Sequence, residues 1–141
     1  MKLLQKLLAR PPKLEGLKLG EAGEKWVSYL YQKNGYKILD RNYAIYAKRK
    51  LGEIDIICLD GRRLVLVEVK TRSEENFMAL EDTVNWRKQT YLRRMAKLFL
   101  MQNPKYRNHD IQIDIAAVLM NPFDNSVKTV KLIENAIEDS S

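Results

Sequence analysis

The chain predicts an α/β fold, a mixed sheet of four or five strands flanked by helices, and three observations carry that expectation. Two β-branched apolar runs, Gly52-Glu53-Ile54-Asp55-Ile56-Ile57-Cys58-Leu59 and Leu64-Val65-Leu66-Val67-Glu68-Val69-Lys70, lie on either side of a turn signal. Both are apolar on both faces, the pattern of strands covered from two sides. One helical stripe precedes the pair and a second follows it, before two more strand-like runs. At 141 residues the chain has room for one domain with a single core.

Taken in order, residues 1–15 read as an N-terminal arm or short helix, and residues 16–141 as the single domain. The opening Met1-Lys2-Leu3-Leu4-Gln5-Lys6-Leu7-Leu8-Ala9-Arg10 resembles a secretion signal, but Gln5 and Lys6 break it and Pro11-Pro12 follows without a cleavage site. Residues 17–34 predict the first long helix, with Gly20, Gly23, Val27 and Leu30 on one stripe, Glu24 at its margin and Asn34-Gly35 as its stop. Residues 36–43 predict a strand. Residues 44–51 carry Lys48-Arg49-Lys50 and read either as a basic loop or as an extension of the flanking strands. After Lys70, a polar stretch over 71–76 leads into a helix ending before Pro104. Val84, Leu92, Met95 and Phe99 form its apolar stripe. Lys88 falls on that stripe, where it either snorkels outward or points into a site. Residues 111–120 predict a strand, 121–125 a turn and 127–133 a last strand.

The central pair holds the chemistry. Side chains alternate along a strand, so Glu68 and Lys70 share a face while Val67 and Val69 share the other. With Asp60-Gly61 as a two-residue hairpin loop, Ile57 faces Leu64, Asp55 faces Leu66 and Glu53 faces Glu68. Asp55, Glu53, Glu68 and Lys70 then lie on one face, and a one-residue slip would separate them. Opposed glutamates repel, and charges on a buried strand need compensation. A divalent cation held by the carboxylates, with a lysine beside it to steer water or steady a developing charge, supplies that compensation.

Composition narrows the classes. One cysteine, Cys58, excludes a disulfide framework and a cysteine-rich zinc site. The single histidine, His109, lies in a polar turn, and no Ser-His-Asp set is present. No stretch is long and apolar enough to span a membrane, so no membrane partner and a cytoplasmic location are expected. The 25 lysines and arginines exceed the 18 acids by seven, which favours a polyanionic partner.

Glu24, Asp55 and Glu68-Val69-Lys70 in this order resemble the core of PD-(D/E)XK nucleases, similar to archaeal Holliday-junction resolvases. More closely, the chain resembles the bacterial YraN family of endonuclease-like proteins. The resemblance runs from about Gly20 to Ala136 through Gly20-Glu21-Ala22-Gly23-Glu24, Arg41-Asn42, Gly52-Glu53-Ile54-Asp55-Ile56-Ile57, Val67-Glu68-Val69-Lys70-Thr71-Arg72, Lys88-Gln89 and Asp114. The stretch between Asn42 and Gly52 is longer and more basic than the family pattern, and Ile113 stands where that pattern tends to an aromatic. The resemblance implies a restriction-endonuclease-like mixed sheet. It implies Mg²⁺ or Mn²⁺ held by Asp55, Glu68 and the Val69 carbonyl, with Lys70 acting on the attacking water and Glu24 completing an acidic rim.

The expected function is a metal-dependent phosphodiesterase acting on DNA rather than RNA, including branched or structured DNA. Glu53, Lys88, Gln89 and Asp114 are expected to support the site. Lys48, Arg49, Lys50, Arg72, Arg87, Arg93, Arg94 and Lys97 are expected to hold the nucleic acid. Paired cuts would call for a homodimer, although no self-complementary face is visible. The rival expectations are a non-catalytic nucleic-acid-binding or assembly module on the same scaffold, and a protein-interaction domain using the basic helix.

Overall fold

The computed structural model of the chain describes residues 2–73 and 85–137. Helix α1 spans Lys2–Leu8 and α2 Leu19–Lys33. Strands β1 (Lys37–Tyr46), β2 (Lys50–Asp60) and β3 (Arg63–Ser73) follow. Helix α3 (Trp86–Gln102), a 3-10 turn (Pro104–Tyr106), β4 (Asp110–Met120) and β5 (Val127–Ile133) complete the order. The five strands form one sheet in the order β1-β2-β3-β4-β5. All neighbours are antiparallel except β3 and β4, which are parallel. A parallel pair needs a long crossover, and α3 lies within it. This is the expected α/β architecture, in agreement with a restriction-endonuclease-like sheet flanked by helices.

The alternation of β3 sorts the core into two faces. Leu64 and Leu66 pack with Leu92, Met95 and Phe99 of α3, while Val65, Val67 and Val69 pack with Ala22, Val27 and Tyr31 of α2. Each fully buried side chain of this size contributes about 1.5–3 kcal/mol, so the register of β3 is strongly held. By the same alternation Glu68 and Lys70 face α3. The parallel partner β4 follows suit, with Ile113 and Ile115 toward α3 and Ala116 and Val118 toward α2.

The hairpin between β2 and β3 differs from the sequence expectation. The turn is Gly61-Arg62, Asp60 pairs with Arg63, and Ile57 faces Leu66 rather than Leu64. Gly61, with φ +60°, supplies the positive angle at the first turn position, which adds Asp60 to β2 and moves the start of β3 from Arg62 to Arg63. The resulting shift is two residues, so the side chains of the paired segment keep their faces. The predicted opposition of Glu53 and Glu68 is lost, and the register continues toward Asp55 opposite Glu68.

The basic stretch over 44–51 resolves as an extension of β1 and β2, with a short turn at 47–49. The second helix begins at Trp86, its first turn capped by the Asn85 side chain accepting from Lys88 N at 2.9 Å. Val84, predicted on its stripe, lies outside the described residues. At α1 the inward residue is Gln5, which accepts from Gln32 Nε2 at 3.4 Å, while Leu3, Leu4, Leu7 and Leu8 are exposed. Lys2 reaches Asp60 at 3.3 Å, tying this segment to the body.

Candidate functional site

The site forms where the β2–β3 ladder ends. The last paired residues are Ile56 and Val67. One step further the Asp55 carboxylate accepts the Val69 N–H at 2.8 Å, so a side chain replaces the missing ladder bond. The strands twist over here. Ile54 packs on the α3 face with Ile57, not with Ile56 and Cys58 as strict alternation would require. On β1, Asn42 falls between the pairs Arg41–Ile56 and Tyr43–Ile54 and adopts φ 53°, a left-handed conformation that asparagine tolerates well. In this register Asn42 stands opposite Asp55.

Four elements then converge. Glu68, 8% exposed, stands on β3 with Lys70 beside it at 3.5 Å. Lys88 of α3 reaches the same Glu68 oxygen at 2.8 Å. Lys88 therefore points inward, one of the two orientations its position on the apolar stripe left open. Its ammonium also lies 5.2 Å from the centre of the Tyr91 ring, and Tyr91 Oη receives the Glu53 N–H at 3.2 Å. Glu24 approaches from α2, whose first turns come close to β3 at Gly23. A Cβ on Gly23 would overlap the Thr71 hydroxyl and lie 3.0 Å from Thr71 Cβ. Glycine at this position sets how near Glu24 can come.

Electrostatics reflect the crowding. Burial, reinforced by the Glu68 charge and by Glu24, pushes the Asp55 carboxyl up to about 7, against the opposing Val69 N–H and Lys88. Burial also raises Glu24, which the Asn42 side chain partly offsets by donating to it, while Glu53 and Glu68 raise it further. Two ammonium groups compete for Glu68. Burial and the adjacent Lys88 hold Lys70 below the usual lysine range. Burial opposes the charge of Lys88 as well, but the closer Glu68 carboxylate outweighs it and holds Lys88 above that range.

The residues fit a hard divalent ion in donor type, since Mg²⁺ needs only one or two protein carboxylates and keeps several waters. Asp55 and Glu68 are such a pair, and the upward shift of Asp55 reflects its burial, with the neighbouring Glu68 charge adding to it. Among the described residues no three acidic, histidine or cysteine side chains are grouped to hold a metal ion. Such a site would rest on two carboxylates and backbone oxygen.

Other expected residues fall elsewhere. Asp114 lies on the α2 face, 1% exposed, accepting from the Tyr31 hydroxyl, from Gln112 Nε2 at 2.8 Å and from Asn135 N at 2.9 Å. The sheet separates it from Glu68 and Lys70. Glu53 is tied up by an ion pair with Lys50. Gln89 sits in the first turn of α3, its N–H bonded to the Asn85 carbonyl at 3.0 Å. Lys48 and Arg49 project from the β1–β2 turn, at the same end of the sheet as Lys70. Arg87, Arg94 and Lys97 are exposed along α3, Arg93 is partly buried, and Arg72 donates to the Thr71 carbonyl at 3.0 Å. The role of Asn42 as partner of Glu24 had no sequence signal beyond its place in the Arg41-Asn42 motif.

The description of uncharacterised protein family UPF0102 matches residues 23–118, a span that contains Glu24, Asp55, Glu68, Lys70 and Lys88. The chain belongs to UPF0102, the YraN family. A UPF0102 protein of Caldicellulosiruptor saccharolyticus is 39% identical over 118 residues, covering 84% of this chain and 95% of that protein. A UPF0102 protein of Desulforamulus reducens is 38% identical over 120 residues, with 84% and 94% covered. A third, from Alkaliphilus metalliredigens, is 36% identical over 118 residues, with 84% and 96% covered. The family match thus runs from α2 through most of β4. No helix among the described residues is long and apolar enough to cross a membrane.

Proposed function

We propose that this UPF0102 protein is a Mg²⁺- or Mn²⁺-dependent phosphodiesterase that cuts DNA, including branched or structured DNA. The observation that carries the reading is the meeting of Asp55, Glu68 and Lys70 where the β2–β3 ladder opens, next to a rim carrying Lys48 and Arg49. Asp55, Glu68 and the Val69 carbonyl would hold the ion. Bound there, it supplies Lewis-acid polarisation of the phosphate and acidification of a water.

The chain's own residues do the rest. Lys70, with its amine held below the usual range by burial and by Lys88, orients the attacking water and stands where charge grows on phosphorus. Lys88 fixes the Glu68 carboxylate at 2.8 Å, so the acid does not have to reorganise on substrate binding. Asn42 positions Glu24 at the rim. The exposed Arg87, Arg94 and Lys97 of α3 provide salt-dependent hold on the backbone.

One observation favours a second reading, a nucleic-acid-binding or assembly module without turnover. Glu68 already carries two lysines, which satisfy its charge without a metal ion. A cleavage panel of single-stranded, duplex, flap and four-way-junction DNA with Mg²⁺ or Mn²⁺ separates the two. The enzyme reading expects cutting that Lys70→Ala abolishes while DNA affinity stays within a few-fold. Tight binding with no cutting of any substrate, with either ion, would replace it with the binding module.

A further inference from the structure

One stripe of α2, at Glu21, Glu24, Lys25, Ser28, Tyr29 and Gln32, faces edge strand β1 across a groove that leads away from the Glu24–Asn42 rim. It contains two clefts in tandem. The first, about 430 Å³, is bounded by Glu21, Glu24 and Lys25 on one side and by residues 38–42 on the other. The second, about 350 Å³, is lined by Arg10, Lys25, Ser28, Tyr29, Gln32 and Arg41, among others. Lys25, Ile38 and Arg41 line both, so the clefts adjoin. Each is of a size that holds a small organic group, roughly 300–1,000 Å³.

Charge changes along the groove. The first cleft has carboxylates at Glu21, Glu24 and Asp40, and its inner end is the Glu24–Asn42 rim of the site. The second has three cations and no acid. Its cations are weakly committed. Lys25 meets Glu21 only at 3.8 Å, and Arg10 uses one nitrogen, Nη1, on the carbonyls of Leu7 and Ala9. Arg41 has no carboxylate within ion-pair distance among the described residues. Three cations, one aromatic ring and two neutral polar side chains are what a phosphate with an adjoining unpaired base requires.

We infer that the second cleft is a single-strand site beside the cut, with a backbone phosphate held by Arg10, Lys25 and Arg41 and a base beside Tyr29. The inference rests on the nuclease reading and names its substrate class, DNA with an unpaired strand next to the scissile bond. From Glu24 to Gln32 the helix rises about 12 Å, which spans about three stacked nucleotides at 3.4 Å each. A duplex turns its base faces inward and cannot present one to Tyr29, whose ring lines the cleft with Trp26 5.2 Å from it and the Lys33 ammonium 5.8 Å from its centre.

The test uses the full chain in EDTA, so that binding is read without cleavage. Fluorescence anisotropy compares a short labelled oligothymidylate, a duplex of equal length and, as competitors, thymidine monophosphate and inorganic phosphate. Arg10→Ala/Arg41→Ala is expected to weaken oligothymidylate binding about tenfold and to lower its salt slope by about 1.4, with duplex binding changed less than twofold. An unchanged melting temperature confirms that the variant folds. Equal losses on both DNAs, or none on the single strand, would overturn the groove. So would inorganic phosphate competing as well as the oligonucleotide. The nuclease reading fails separately: if the wild type cuts no substrate yet shows this single-strand preference, the groove stands and the chemistry falls.

Discussion

Replacing Asp55 with asparagine in the metal-free protein isolates the cost of burying its charge, to which Glu68 and Glu24 add. The fold raises this carboxyl from 3.8 to about 7. At 1.36 kcal/mol per pH unit, that gap bounds the penalty of ionising Asp55 in the native state at about 4 kcal/mol. Relaxation of the rim and water entry reduce the expected figure to about 2 kcal/mol. The folded state holds the proton more tightly than the unfolded chain. The penalty is therefore absent at low pH, where both states are protonated, grows from about pH 4, and is complete above about pH 7. Asparagine keeps an acceptor for the Val69 N–H, which Asp55 receives at 2.8 Å, and removes only the charge. Urea denaturation in EDTA should find Asp55→Asn equal to or slightly less stable than wild type at about pH 3, and about 2 kcal/mol more stable at about pH 8. Added Mg²⁺ should narrow the pH 8 difference by stabilising wild type alone. A difference that stays flat between the two pH values would refute the buried-acid argument. Equal Mg²⁺ responses would remove the ion from Asp55.

Two further variants probe the frame that holds the site. Gly23→Ala places a methyl against the Thr71 hydroxyl, a buried oxygen with no hydrogen-bond partner among the described residues. It is expected to cost about 1–3 kcal/mol, with partial recovery in the Gly23→Ala/Thr71→Ala double variant, read by thermal and urea melts. Tyr31→Phe removes a donor to Asp114, which is 1% exposed. A loss of about 1–3 kcal/mol is expected, with no effect on DNA cleavage, because Asp114 lies across the sheet from Lys70.

The alternation of Leu64 to Lys70 was legible because a central strand covered on both faces permits only one register, and that register sorts valines from charges. It placed Glu68 and Lys70 together from the sequence alone, and the two-residue shift of the hairpin left that pairing of faces intact because the side-chain period is two. The turn itself was misread because Asp60-Gly61 and Gly61-Arg62 both offer a glycine, and only strand pairing decides which turn position it fills. Asp114 stood on an apolar strand and was grouped with the acids; the parallel pairing with Val67 sent it to Tyr31 instead.

What the sequence by itself determined is the set of strands and the faces of their side chains, since both follow from local periodicity. Tertiary structure alone decided the partners. Lys88 was legible as an anomaly on an apolar stripe, but its choice of Glu68 depends on how α3 lies over β3. The meeting of Asn42 with Glu24, and the cleft joining Arg10, Lys25 and Arg41, bring together residues 15 to 31 positions apart. No local pattern encodes such a meeting, because it is set by the angle at which a helix crosses a twisted sheet.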